Sequence, residues 1–277
     1  MKTQSNKLLI REVAKWCMIL ASVFVFASAT LAAQGNPGIA PSTSNITDVK
    51  TYADLGAEWW QWIIQIPEAD SPLGDLWGAP DDMGMKCRMG QRGPVWFLAS
   101  TLGYSLPGPE NQIVRHCEIP GGKALFFPVI NAGFFSFYND DSTAEELRAG
   151  LDLCDTSSIR NLTLTIDGVP VARPEKYYTS AKQSPLFMVQ LPTNNVWGYQ
   201  TIDPSNEYTY LPYLLFSPSV HKGFYYYLKP LATGNHTIEW TATWDCDFDR
   251  DEEWDPVPYS ENIKYELNVL KGLPREN

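Results

Sequence analysis

Apolar and polar residues alternate with a period of two in four stretches of the chain. Leu162, Leu164 and Ile166 are interleaved with Thr163 and Thr165, and Ile238, Trp240, Ala242 and Trp244 with Glu239, Thr241 and Thr243. Phe187, Val189 and Leu191 repeat the pattern, as do Ile263, Tyr265, Leu267 and Val269. Successive strand residues point to opposite faces, so this period predicts antiparallel sheets with one buried and one wet face. Asp167-Gly168 and Gly234-Asn235 supply turn residues beside these runs. Residues 95–99 and 124–130 are apolar without interruption, as strands covered on both faces are. Residues 113–119 are expected to return antiparallel to the first of these runs. Pro128 places an edge, a bulge or a strand end in the second. Residues 224–228 read as an aromatic-rich strand.

A period of 3.6 appears in one long stretch. Thr51 is a cap with Asp54 three residues on, and Tyr52, Leu55, Trp59, Ile63 and Ile66 follow at helical spacing until Pro67 stops the helix. Trp60, Trp62 and Ile64 make it apolar on more than one face, so it is either buried on several sides or presents an aromatic surface. A second, short helix is predicted at 143–153. There, Ser142/Glu145 and Thr143/Glu146 form overlapping capping boxes ahead of Leu147, Leu151 and Leu153. The fold expected is mainly β: an antiparallel β-sandwich, jelly-roll-like, with an N-terminal helix and one short additional helix.

The two ends of this organisation differ in composition. Lys2, Lys7, Arg11 and Lys15 precede a short apolar run from Trp16 to Ala27, and small residues follow to Ala33. A basic stretch, an apolar core of about twelve residues and an Ala-x-Ala-like end read as a secretory signal peptide over residues 1–33, cleaved after Ala29 or, by preference, Ala33. Residues 34–46 are rich in Pro, Gly and Ser and read as a flexible leader, leaving 47–277 as one β domain. The chain is thus expected to be secreted or periplasmic, with no membrane span after signal removal. Removing residues 1–33 takes away four positive charges and one negative, which lowers the net charge from −11 to −14. Such a surface disfavours nucleic acid and leaves polysaccharide or an extracellular protein surface as partners. Cys87, Cys117, Cys154 and Cys246 form an even set beyond the signal, as disulfides in an exported chain do. Three pairings are possible; Cys87–Cys117 with Cys154–Cys246 is the favoured one.

The stretches Gly93-Pro94-Val95-Trp96-Phe97-Leu98-Ala99 and Cys117-Glu118-Ile119-Pro120-Gly121-Gly122-Lys123-Ala124-Leu125-Phe126-Phe127-Pro128-Val129-Ile130-Asn131, with the helical Glu58-Trp59-Trp60-Gln61-Trp62, resemble a group of secreted microbial proteins. The resemblance spans most of the mature chain. It implies relatives but no chemistry, and no functional residue is carried over from it.

Three constellations bear on chemistry. Asp245, Asp247, Asp249 and Asp251 place carboxylates at every second position in a loop between strands, a pattern able to converge on Ca²⁺ or to form a solvated acidic loop. His116 and Glu118, two apart on a strand, share one face, about 7 Å apart, and are candidates for general acid–base work; a polar edge beside a buried cysteine is the alternative. Trp59, Trp60 and Trp62 on the helix and Tyr226 on a strand are candidates for stacking on sugar rings; Trp77, Trp197, Tyr225 and Tyr227 extend that set. The chain has no Gly-x-Ser-x-Gly elbow, His-Glu-x-x-His helix, phosphate-binding loop or dinucleotide fingerprint, which disfavours the common esterases, zinc proteases and nucleotide enzymes. Paired carboxylates from distant strands leave no local signature, so a glycosidase stays open. The leading expectation is a secreted carbohydrate-active or carbohydrate-binding protein stabilised by calcium. The alternatives are a non-catalytic extracellular or envelope interaction protein and a hydrolase of a non-sugar polymer using paired carboxylates.

Overall fold

The computed structural model describes residues 38–42, 50–73, 86–101, 111–137, 141–152, 156–201, 211–245 and 258–271. Among these residues, ten strands make up two five-stranded sheets. The first holds β1 (Val95–Phe97), β3 (Ala124–Phe137), β8 (Leu215–Leu228) and β6 (Tyr178–Thr179) in that order, with β7 (Phe187–Gln190) also paired to β8. The second has the order β2 (Ile113–Pro120), β10 (Tyr259–Leu270), β9 (Gly234–Trp244), β4 (Ile159–Ile166) and β5 (Val169–Pro170). Helix α1 (Tyr52–Ile64) packs on the first sheet, and the short α2 (Ala144–Asp152) packs on β3 and β8. The result is mainly β and sandwich-like, with the two helices expected.

Period and burial agree closely in the second sheet. Ile238, Trp240, Ala242 and Trp244 point inward, and Trp240 stacks on Phe127 of the first sheet at 5.2 Å between ring centroids. Thr163 and Thr241 pair across the outer face through their hydroxyls at 2.7 Å. β1 and the uninterrupted apolar half of β3, residues 124–130, are buried on both faces because the first sheet lies between α1 and the second sheet. Phe126 lies between Tyr52 of α1 and Tyr225 of β8, at 5.9 and 5.5 Å, and its neighbour Phe127 faces the other way.

Local signals act as the residues dictate. Thr51 and Asp54 close a reciprocal capping box at the start of α1. Of the two boxes before α2, Thr143 and Glu146 form one, with bonds of 2.8 and 3.2 Å. Asp167 and Gly168 both adopt positive φ, 51° and 74°, the geometry of the two-residue hairpin turn that joins β4 to β5. At Pro128 the pairing of β3 with β8 slips, making a bulge inside a central strand.

One pairing departs from expectation. β2 does not return antiparallel to β1: β1 pairs parallel with β3, and β2 pairs parallel with β10 in the other sheet. The burial patterns give the reason. β1 is buried at all three positions, whereas β2 alternates and keeps one face wet, so they belong to sheets with different surroundings.

Cys87 and Cys117 form a disulfide, with Cα atoms 5.9 Å apart. The bond joins β2 to a one-turn 3-10 helix, Lys86–Arg88. Arg88 in that turn also pairs with Glu118. Adjacent residues of a strand face opposite ways, so a turn bound to both Cys117 and Glu118 straddles the edge of β2. Cys154 and Cys246 lie outside the described residues. Inside the fold, Arg115 donates to the carbonyls of Ala99 and Ser100, at 2.6 and 3.1 Å, and Glu261 accepts from the amide of Thr101 at 3.0 Å. Together they fasten the segment that follows β1. Among the described residues no helix is long and apolar enough to cross a membrane.

Candidate functional site

A cleft of about 670 Å³ lies between α1 and the segment leading into β1. Its floor is apolar: Trp62 and Ile66 from the helix side, Val95 and Phe97 from β1. Its rim is polar: Gln61, Gln65, Arg92 and the ion pair Lys50–Glu58, closed at 2.6 Å. The facing wall is held by Gln91, whose amide donates to the carbonyls of Cys87 and Phe97 at 3.0 and 2.8 Å and accepts from the Phe97 amide at 2.9 Å. Trp62 donates its indole N–H to the Met89 carbonyl at 2.8 Å, tying floor to wall. At Gly90, φ is +66° and an added Cβ would lie 3.3 Å from the Trp62 ring, so glycine permits this close approach. The cleft is therefore preformed, in the size range of small-ligand sites. Glu58 is the one carboxylate among its described lining residues.

A second, all-aromatic cleft of about 480 Å³ opens at the end of β3. Gly133, Phe134, Phe135 and Phe137 of β3, Phe216 of β8, and Trp197 and Tyr199 of a loop line it. Asn195 shapes that loop: its side chain accepts from the Tyr199 amide at 3.0 Å and donates to the carbonyls of Pro192 and Tyr199. Burial raises the pKa of the Tyr199 phenol.

The four aromatic residues expected to stack on ligands are all buried, Trp62 the least so at 7 % exposure. Only Trp62 lines a cleft. Trp59 is fully buried, with its N–H on the Leu98 carbonyl at 2.8 Å. Tyr226 is fully buried, with its hydroxyl on the Pro174 carbonyl at 3.0 Å. Trp60 is buried edge-to-face against Trp59 and Phe135. These three are core residues and offer no ring face to a ligand: Trp59 and Trp60 because α1 is covered on several sides, Tyr226 because it packs between Phe127 and Tyr177. Trp197, in a loop without periodicity, lines the aromatic cleft; its surroundings in the sequence, Trp197-Gly198-Tyr199 after two asparagines, are the only local signal of it.

His116 and Glu118 face the same way from β2, into a polar hollow of about 630 Å³ shared with Asp167, His236, Glu266 and Asn268. Each is engaged elsewhere: His116 Nδ1 lies 3.3 Å from Glu266, and Glu118 pairs with Arg88. Lys264, 3.0 Å from Glu266, holds that carboxylate below its ordinary pKa. His236 bonds Asp167 at 2.7 Å and the Ala232 carbonyl at 2.9 Å. Burial opposes its charge, but these partners outweigh burial and raise its pKa. The histidine buried deepest is His221. Its Nε2 lies 2.8 Å from the Ala53 carbonyl, which can only accept, so Nε2 carries the hydrogen and Nδ1 accepts from Tyr225 at 3.0 Å. Burial, partly offset by the bond to Ala53 and the charge of Asp54, lowers its pKa to about 4.

Of the acidic segment, Asp245 alone is described, and Arg160 holds it at 2.6 Å; Asp247, Asp249 and Asp251 lie outside the described residues. Among the described residues no group of three or more His, Cys, Asp or Glu side chains is placed to hold a metal ion. No family model, curated protein or solved structure matches the chain.

Proposed function

We propose that the protein is exported and binds a glycan, without cleaving it, in the cleft between α1 and β1. The observation that carries this reading is the make-up of that cleft. Trp62, Phe97, Val95 and Ile66 form an apolar floor, and the amides of Gln61 and Gln65 and the guanidinium of Arg92 stand around it. A pyranose has one apolar C–H face and a rim of hydroxyls, so it asks for this combination. Hydrolysis in most glycosidases needs two carboxylates about 5–10 Å apart. The described lining supplies Glu58 alone, already paired with Lys50. Export is supported by the basic–apolar–small pattern of residues 1–33 and by the Cys87–Cys117 disulfide, which fits an oxidising compartment. A calcium ion on the acidic segment at 245–251 completes the reading. Chelator is expected to lower the melting temperature, and an unchanged transition removes the ion.

The test is a screen of purified protein against immobilised polysaccharides, scoring both retention and release of soluble sugar. Retention without release is expected, and Arg92→Ala with Gln65→Ala is expected to reduce it at least about tenfold. Release of product makes the protein an enzyme. Silence on every sugar retires the glycan and favours the extracellular interaction protein, for which the exposed Leu186, Met188 and Tyr213 supply surface.

A further inference from the structure

The aromatic cleft shares no lining residue with the cleft between α1 and β1, and its geometry asks for a different ligand. The ring planes of Trp197 and Tyr199 meet at 82°, those of Tyr199 and Phe216 at 82°, and those of Trp197 and Phe216 at 74°. Phe216, 3 % exposed, packs directly against Tyr199 and Trp197 at 5.3 and 5.8 Å and forms the base of the cleft; over it Tyr199 stands across Trp197 at 82° and across Phe137 at 79°, a corner in which a flat sugar ring can lie on one wall only. A near-spherical group can touch more than one of these walls at once. We propose that this corner binds a quaternary ammonium group, the trimethylammonium of a choline-like small molecule, through cation–π attraction.

Distances and charge support the choice. Two perpendicular ring faces sharing a cation about 4.5 Å from each, inside the ~6 Å reach of the attraction, have centroids about 6.4 Å apart. Trp197 and Tyr199 are 6.5 Å apart, and Phe137 and Tyr199 are 6.3 Å apart at 79°. Phe135 backs the corner, 5.3 Å from Trp197, and is held by Trp60 at 5.1 Å. The rings are thus preset by the core behind them. The net charge of −11 attracts cations, and no charged side chain is among the described lining residues. With no lysine or arginine there to hold a phosphate, the ligand is a free quaternary ammonium compound and not a phosphocholine headgroup. An anionic or zwitterionic ligand gains nothing from such walls.

The experiment is calorimetric titration of the purified chain with choline chloride and tetramethylammonium chloride at constant ionic strength. The uncharged isostere 3,3-dimethylbutan-1-ol and phosphatidylcholine vesicles are run beside them. Choline and tetramethylammonium are expected to bind about tenfold more tightly than the isostere, between the contribution of an exposed and of a desolvated cation–π contact. Tyr199→Phe retains binding, and Tyr199→Leu loses most of it at an unchanged melting temperature. Should Tyr199→Leu fail to fold, Phe137→Leu, at a ring 42 % exposed, takes its place. Equal affinity for the isostere, no binding of either cation, or binding of vesicles while free choline is inert overturns the proposal.

Discussion

The two clefts differ in how they are built, although both rest on the same core. The one between α1 and β1 is made by contacts between separate segments: a helix on one side and, on the other, a loop clamped by Gln91 and joined to β2 by a disulfide. The aromatic corner is made by rings that pack on one another at the end of two long strands. The first depends on docking and offers hydrogen bonds. The second depends on local packing and offers little besides ring faces. Perturbing the docking of α1 or the clamped loop therefore separates them.

The largest separation is expected from the disulfide. It closes a 30-residue separation, which chain-entropy arguments value at about 3.5 kcal/mol. Replacing Cys87 and Cys117 together by Ser is expected to lower stability by about 2–4 kcal/mol and to weaken glycan retention, because Gly90 and Arg92 sit just beyond Cys87. Choline binding persists in the fraction still folded; loss of both activities in parallel breaks the comparison. Acid acts next. In the unfolded chain His221 takes up a proton near its ordinary 6.5, and in the fold only near about 4. Between those values the unfolded state holds more protons, so stability falls as pH falls, by up to about 3 kcal/mol. Chemical denaturation at pH 7 and pH 4 measures this, with His221→Gln expected to flatten the dependence.

Gly56→Ala follows. An added Cβ there would stand 2.2 Å from His221 Cε1, so α1 must lift from the sheet. Overpacking of this kind costs about 1–3 kcal/mol. Glycan retention is expected to fall more than choline binding, as retention assays and titrations of the same preparation would show. The smallest effect sharpens the comparison as a control. Thr143→Ala removes the cap of α2, which lines neither of these two clefts, and is expected to cost about 1 kcal/mol while leaving both activities unchanged.

Much of this was legible where the information is local. Alternation in residues 162–166 and 238–244 marked strands wet on one face. Thr51 with Asp54 marked the start of α1, and Asp167-Gly168 marked a turn. Each of these is decided by neighbours within a few residues. The partners of β1 and β2 were not legible, because strand pairing is a long-range choice settled by which layer each strand occupies. For the same reason Trp59 and Trp62, three residues apart on one helix, read alike in the sequence yet end as a core ring and a cleft floor. The corner was hardest to see: Phe134-Phe135-Ser136-Phe137 reads as interior strand, and nothing local brings it to Trp197.

The turn that straddles β2 has a consequence for how copies of the chain meet. Most outer strands are stubs: β1 has three residues, β5 and β6 two each, and β7 four. Among the described outer strands β2 is the longest, eight residues ending at Pro120. With Cys87 tethered to one side of it and Arg88 to the other, an incoming ribbon of backbone meets a fence where it would otherwise zip on. The chain thus carries its own guard against templated stacking, and reducing conditions are expected to open it.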